Sequence, residues 1–97
     1  MSATLRQQGG SLVLDGMVGF ENAAALCAEG LAILGKPGAA VTLDLSTLKS
    51  ENSVTVAMVV QWARAAAHSG RPLTLTGVPE QFRAIVRVSG LEAALLQ

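Results

Sequence analysis

Residues 4–8, Thr-Leu-Arg-Gln-Gln, read as a short, largely polar extended run around Leu5, and a second extended run, the apolar Ser-Leu-Val-Leu, fills residues 11–14. Gly9 and Gly10 lie between them, a pair able to take the positive φ angles of a tight turn, so the segment predicts a β-hairpin. From Glu21 the period changes, with Leu26, Cys27, Leu31 and Leu34 recurring at helical spacing until Gly35-Lys36-Pro37-Gly38 stops the run. Residues 41–45, Val-Thr-Leu-Asp-Leu, read as a short central strand covered on both faces or nearly so. A second helix is expected over residues 54–68, ended by Ser69-Gly70 before Pro72. A strand over 73–76 and a third helix over 80–88 follow, with Pro79 suited to that helix's first turn, and residues 91–96 suggest a short terminal helix. The order is ββαβαβα, an α/β arrangement with a sheet layer facing helices.

The second helix carries more apolar surface than one packing face needs. At ~100° per residue, Val56, Val59, Val60, Ala63 and Ala67 form one stripe, while Gln61, Arg64 and His68 form a polar one. Thr55, Met58, Trp62 and Ala66 add a further flank beside the first stripe. Such a flank packs either against a neighbouring helix of the same domain or against a partner. Met and Trp are enriched in partner contacts, and Met58 and Trp62 are expected near or within one.

Composition narrows the chemistry. The 97 residues fit one domain spanning 1–97. With 51% hydrophobic residues but only one Trp and two Phe, the core must be built from Ala, Val and Leu. Seven basic residues balance seven acidic ones, so no strong net field recruits nucleic acid or an anionic membrane. Cys27, the single cysteine, sits in a helical apolar pattern as a small buried hydrophobe, and a reducing compartment is expected. The start of the chain lacks the features of a signal peptide, and no apolar run approaches the ~20 residues of a membrane span, so the cytoplasm is expected. His68 stands alone near a helix end, and Asp44 has no placed carboxylate partner. Arg83 and Arg87, at i and i+4, share a solvent-facing side of the third helix. There is no phosphate-binding Gly-Lys-Ser/Thr loop. No catalytic residue, metal site or cofactor is expected.

At the mouth of the second helix, Asn52 and Ser53 can each accept hydrogen bonds from unpaired first-turn N–H groups, which makes either a sound cap. A phosphate on Ser53 would place negative charge at the positive end of the helix, which the helix tolerates and a close apolar partner does not. The run Val41-Thr-Leu-Asp-Leu-Ser-Thr-Leu, then Asn52-Ser53 opening an apolar helix, then Gly70 and Pro72-Leu-Thr-Leu-Thr-Gly-Val, resembles the STAS domain over roughly residues 10–95. That is the fold of anti-sigma factor antagonists and of sulfate-transporter tails. The stand-alone length and the "LTLTGVPEQFRAIVRVSGLEAAL" segment resemble the small STAS members that serve Mla-type phospholipid ABC transporters.

The resemblance implies a mixed sheet of about four strands with helices packed on it. It also implies a non-enzymatic function: binding and supporting the ATPase subunit of a membrane permease complex, without insertion into the bilayer. Asn52 matches the family's Asp, and Ser53 its phosphorylatable or partner-contacting hydroxyl position. Ser53, Asn52, Thr55, Met58 and Trp62 are the residues that this resemblance and the apolar flank together assign to partner binding. Asn52 has no carboxylate, and Val54-Thr55 replace small residues, which favours stable docking over reversible modification. The alternatives are a phospho-regulated anti-sigma factor antagonist and a small lipid- or ligand-binding domain that uses the flank as a pocket wall.

Overall fold

The computed structural model describes residues 3–49 and 53–88, the last four of these by backbone alone. The elements are β1 (Ala3–Gln8), β2 (Ser11–Gly16), α1 (Phe20–Leu34), β3 (Val41–Asp44), α2 (Ser53–His68), β4 (Leu73–Thr76) and α3 (Glu80–Val88). The terminal helix expected over residues 91–96 lies outside the described residues.

The four strands form one mixed sheet in the order β1-β2-β3-β4. β1 and β2 are antiparallel, from Ala3 opposite Gly16 to Gln8 opposite Ser11. The loop between them has two residues, and Gly9 takes φ +61°, the positive value that the first position of a II′ hairpin turn requires. β2–β3 and β3–β4 are parallel, with Leu12 beside Leu43 and Leu43 beside Leu75. Each parallel step needs a crossover, which α1 and α2 supply.

The pairing register sorts the side chains onto two faces. Leu5, Leu12, Leu14, Val41, Leu43, Leu73 and Leu75 point to one face, and all are buried or half-buried there. Leu14, Leu43 and Leu45 are completely enclosed, and burying each such side chain stabilises the fold by ~1.5–3 kcal/mol. The opposite face carries Arg6, Gln8, Ser11, Thr42, Asp44, Thr74 and Thr76, with Val13 buried among them. Among the described residues, this second face is mostly polar. The expectation that β3 is enclosed on both faces is corrected here, because Thr42 and Asp44 are half-exposed on the polar side.

The helix ends are fastened in different ways. α1 starts after Gly19, whose N–H donates to the Asn22 side-chain oxygen at 2.9 Å, while Asn22 Nδ2 donates to the Met17 carbonyl at 2.9 Å. α2 ends on Gly70 at φ +70°, with the Gly70 N–H donating to Ala67 O at 3.0 Å and the Arg71 N–H to Ala66 O at 2.8 Å. This pair of bonds defines a Schellman motif. Pro79 immediately precedes α3, and its carbonyl accepts the Arg83 N–H at 3.0 Å, so it lies one step outside the first turn where the sequence placed it.

Arg71 also closes the end of α1. Its Nη1 donates to Ile33 O and its Nε to Ala39 O, both at 2.9 Å. Ile33 lies in the last turn of α1, whose carbonyls have no partner within the helix. Arg71→Ala is expected to lower stability by ~1–2 kcal/mol, with Arg71→Lys between it and the parent, because an ammonium cannot span both carbonyls with a fixed fork. Urea unfolding of the three proteins measures this. A midpoint for Arg71→Ala equal to that of the parent would show that water replaces the guanidinium at no cost.

Candidate functional site

α2 is the central element of the helical layer. It packs against α1 on one side and α3 on the other, and also reaches the sheet. Seven of its sixteen residues are buried, more than a one-sided amphipathic helix requires. The stripe that sequence assigns to the core is Val56, Val59 and Val60, all buried, with Ala63 half-buried and Ala67 exposed at its margin. The second apolar flank is buried as well. Trp62 is completely enclosed, its Nε1 donates to the Cys27 carbonyl at 3.1 Å, and its indole lies over Gly30 of α1.

That arrangement corrects the assignment of partner contacts. Thr55 and Trp62 have no exposed surface and Met58 is 4% exposed, so these three hold the domain together and are not available to a partner. The physical reason is the position of α1, which occupies the side of α2 that the sequence leaves open to either a neighbour or a partner. Cys27 is half-buried rather than buried, with Sγ 4.0 Å from Gln61 Oε1.

Ser53 is exposed. It is the first residue of α2, and Asn52 lies outside the described residues together with residues 50 and 51. The solvent-facing strip of α2 runs through Ser53, Ala57, Gln61, Arg64, Ala67 and His68.

The segments that follow β2 and β3 are braced against each other. A parallel bridge joins Gly16 to Leu48, the Lys49 N–H donates to Gly16 O at 2.7 Å, and the Gly16 N–H donates to Thr47 O at 3.4 Å. The loop after β2 and the loop after β3 are therefore tied together beneath buried Val18 and Leu48. The Ser46 N–H donates to Asp44 Oδ1 at 2.9 Å, and this bond holds the Asp44 carboxyl below its ordinary range, the Ser46 side chain adding to the effect. The turn keeps this support at neutral pH and loses it as pH falls through the lowered value.

Phe20, the first residue of α1, is 88% exposed. Sequence reasoning passed over it. Phase gave no signal: at ~100° per residue Phe20 falls within ~20–40° of Cys27, Leu31 and Leu34, inside the apolar stripe, and it is exposed as the first residue of the helix.

Among the described residues, no group of three or more His, Cys, Asp or Glu side chains is placed to hold a metal ion, and no helix is long and apolar enough to cross a membrane. Two surface hollows of about 70 and about 170 Å³ lie by the hairpin and by β1, below the ~300 Å³ at which small-molecule pockets begin.

The family described as "Mlab, STAS domain" matches residues 1–97. This chain is a member of the Mlab STAS-domain family. No curated protein matches it. Among solved structures, the crystal structure of an anti-sigma factor antagonist from Mycobacterium paratuberculosis superposes with a TM-score of 0.74. That likeness has 17% identity and covers 98% of this chain and 82% of that one. The anti-sigma factor antagonist SpoIIAA in its unphosphorylated form gives a TM-score of 0.72 at 16% identity, covering 98% and 86% respectively. Identities this low carry the fold alone. The fold is thus the mixed four-stranded sheet with helices packed on it, and Ser53 stands exposed at the first residue of α2.

Proposed function

We propose that this chain is a non-catalytic, cytoplasmic subunit of an Mla-type ABC transporter. It docks on the ATPase subunit of the membrane permease complex and supports phospholipid trafficking and outer-membrane lipid asymmetry. The observation that carries the reading is Ser53, exposed at the first turn of α2 in a chain that matches the Mlab description along its length. Family resemblance assigns that corner to partner contact. On this reading the nucleotide chemistry belongs to the partner. The domain contributes binding free energy that favours the ATPase's competent arrangement, which makes the coupling allosteric.

The test is copurification of this chain with the Mla-type ATPase of the same organism, and ATP turnover of that ATPase with and without the chain. The chain alone is expected to hydrolyse no ATP; turnover by it at enzyme-like rates would remove the reading. Ser53 variants locate the contact. Since Ser53 is exposed and inside the first turn, Ser53→Ala is expected to change stability by less than ~0.5 kcal/mol and binding only modestly. Ser53→Glu and Ser53→Arg place a charge where the docked surface has to desolvate it, so copurified ATPase is expected to fall at least ~10-fold while circular dichroism stays that of the parent. If both charged variants retain the ATPase fully, the interface lies elsewhere.

A phospho-regulated anti-sigma factor antagonist is the second reading. An exposed hydroxyl at a helix N-terminus favours it, since added phosphate is stabilised there. Copurification with a kinase-like anti-sigma factor instead of an ATPase would decide for it. The lipid-carrying alternative loses its basis, because the apolar flank of α2 is filled by α1 and encloses Trp62 rather than lining a pocket.

A further inference from the structure

The chain as a whole is neutral, but its charges are not spread evenly. Between residues 53 and 88 the cations Arg64, Arg71, Arg83 and Arg87 face a single carboxylate, Glu80. α2 contains no acidic residue. Arg71 turns inward onto the Ile33 and Ala39 carbonyls, whereas Arg64 and Arg83 are exposed on two helices that pack together. Among the described residues the only ion pair is Arg6 with Asp15, on β1 and β2, so neither Arg64 nor Arg83 is neutralised by a carboxylate there. Glu80 lies in the first turn of α3, where the helix dipole already engages its charge. The rest of the exposed strip of α2 is small or neutral, with Ser53, Ala57 and Ala67 allowing another backbone close approach.

We infer that this face of α2, continued onto α3, is a docking surface for a carboxylate-rich protein segment, and that the ATPase contributes that segment. The inference rests on the transporter reading above. Two exposed guanidiniums, one on each of two packed helices, offer fixed donor forks suited to carboxylates, and Ala57, between Ser53 and Arg64 on the exposed strip of α2, lets a segment of protein chain approach closely. A partner that is acidic at this face meets complementary potential. A partner that is basic there is repelled, so the two arginines set which segment docks and how fast it arrives.

The experiment measures the affinity of the whole chain for the Mla-type ATPase between ~50 and ~300 mM salt. It compares the parent, Arg64→Glu, Arg83→Glu, their double variant, and Lys36→Glu as a control on the exposed α1–β3 loop. The expected result is a parent affinity that weakens at least ~5-fold over this range. The double variant should lose at least ~10-fold at low salt and most of the salt response, while Lys36→Glu behaves as the parent. Circular dichroism checks that each variant is folded. A double variant that binds the ATPase with the parent's affinity and salt response overturns the inference and leaves the transporter reading standing.

If the parent forms no complex at either salt, the transporter reading fails. A glutamate-rich synthetic peptide, followed through amide NMR shifts, then tests the surface by itself. Shifts on α2 and α3 that vanish in the double variant support an acid-recognising face, and their absence overturns it. Arg64-dependent binding to phosphatidylglycerol vesicles, with none to peptide or ATPase, would assign the face to a membrane and also overturn it.

Discussion

Trp62→Ala is expected to cost ~3–5 kcal/mol of folding stability, the range for removing a fully enclosed large aromatic. The indole has no exposed surface and fills the seam between α1 and α2, where its Nε1 also donates to the Cys27 carbonyl. A domain of this length has ~5–15 kcal/mol in total, so the loss is about a fifth or more of it. It corresponds to a melting temperature lower by ~15–30 °C. Calorimetry or thermal circular dichroism reads the shift. The same variant separates a core from an interface function: at a temperature where it is still folded, its affinity for the ATPase per folded molecule should stay within ~3-fold of the parent's. Unchanged stability with lost binding would return Trp62 to the surface.

The second large effect comes from the residue that the indole covers. A Cβ built on Gly30 would overlap the Cε2 and Nε1 atoms of Trp62 and would lie 2.6 Å from Cζ2. Gly30→Ala gains ~1 kcal/mol of helix propensity. Against that stand the strain of forcing a methyl group into a filled seam, ~1–3 kcal/mol or more, and the loss of the indole hydrogen bond, ~1 kcal/mol. The expected net loss is ~1–3 kcal/mol, a melting temperature lower by ~5–20 °C. Trp62→Leu in the Gly30→Ala background should recover part of it, because the smaller side chain leaves room for the new methyl group. The coupling in that double-mutant cycle is expected at ~1–3 kcal/mol. If the two losses simply add, the two residues do not share the seam.

Most of the fold could be read from periodicity. The extended runs over residues 4–8 and 11–14, the Gly9-Gly10 break, the helical spacing of Leu26, Leu31 and Leu34, and the Gly70 stop all act locally, and the elements fall within a residue or two of where these signals put them. What could not be read was which side of α2 each neighbour takes. An apolar flank looks the same whether α1 or another protein covers it, so Met58 and Trp62 were assigned outward although the structure encloses them. The missing signal was Gly30, whose lack of a side chain makes sense only once a large ring is known to lie against it. For β3, its β-branched and apolar residues suggested enclosure on both faces, and it is the pairing of Thr42 with Thr74 and Asp44 with Thr76 that reveals a polar outer face. Ser53 was found by its place before an apolar helix. The finer distinction, cap or first helical residue, depends on one residue of register that sequence signals do not resolve.

The way Trp62 fits over Gly30 has an evolutionary corollary. Neither position can drift alone: a side chain at one demands a smaller ring at the other, so this pair changes only through coupled steps. The outer strip is under no such constraint. Ser53, Ala57, Gln61, Arg64 and His68 touch little that the fold depends on, and a lineage can rewrite them one at a time without passing through an unfolded intermediate. A duplicated copy of this domain is thus free to acquire a new partner by changing its outer strip, while the lock between its two long helices is inherited unaltered.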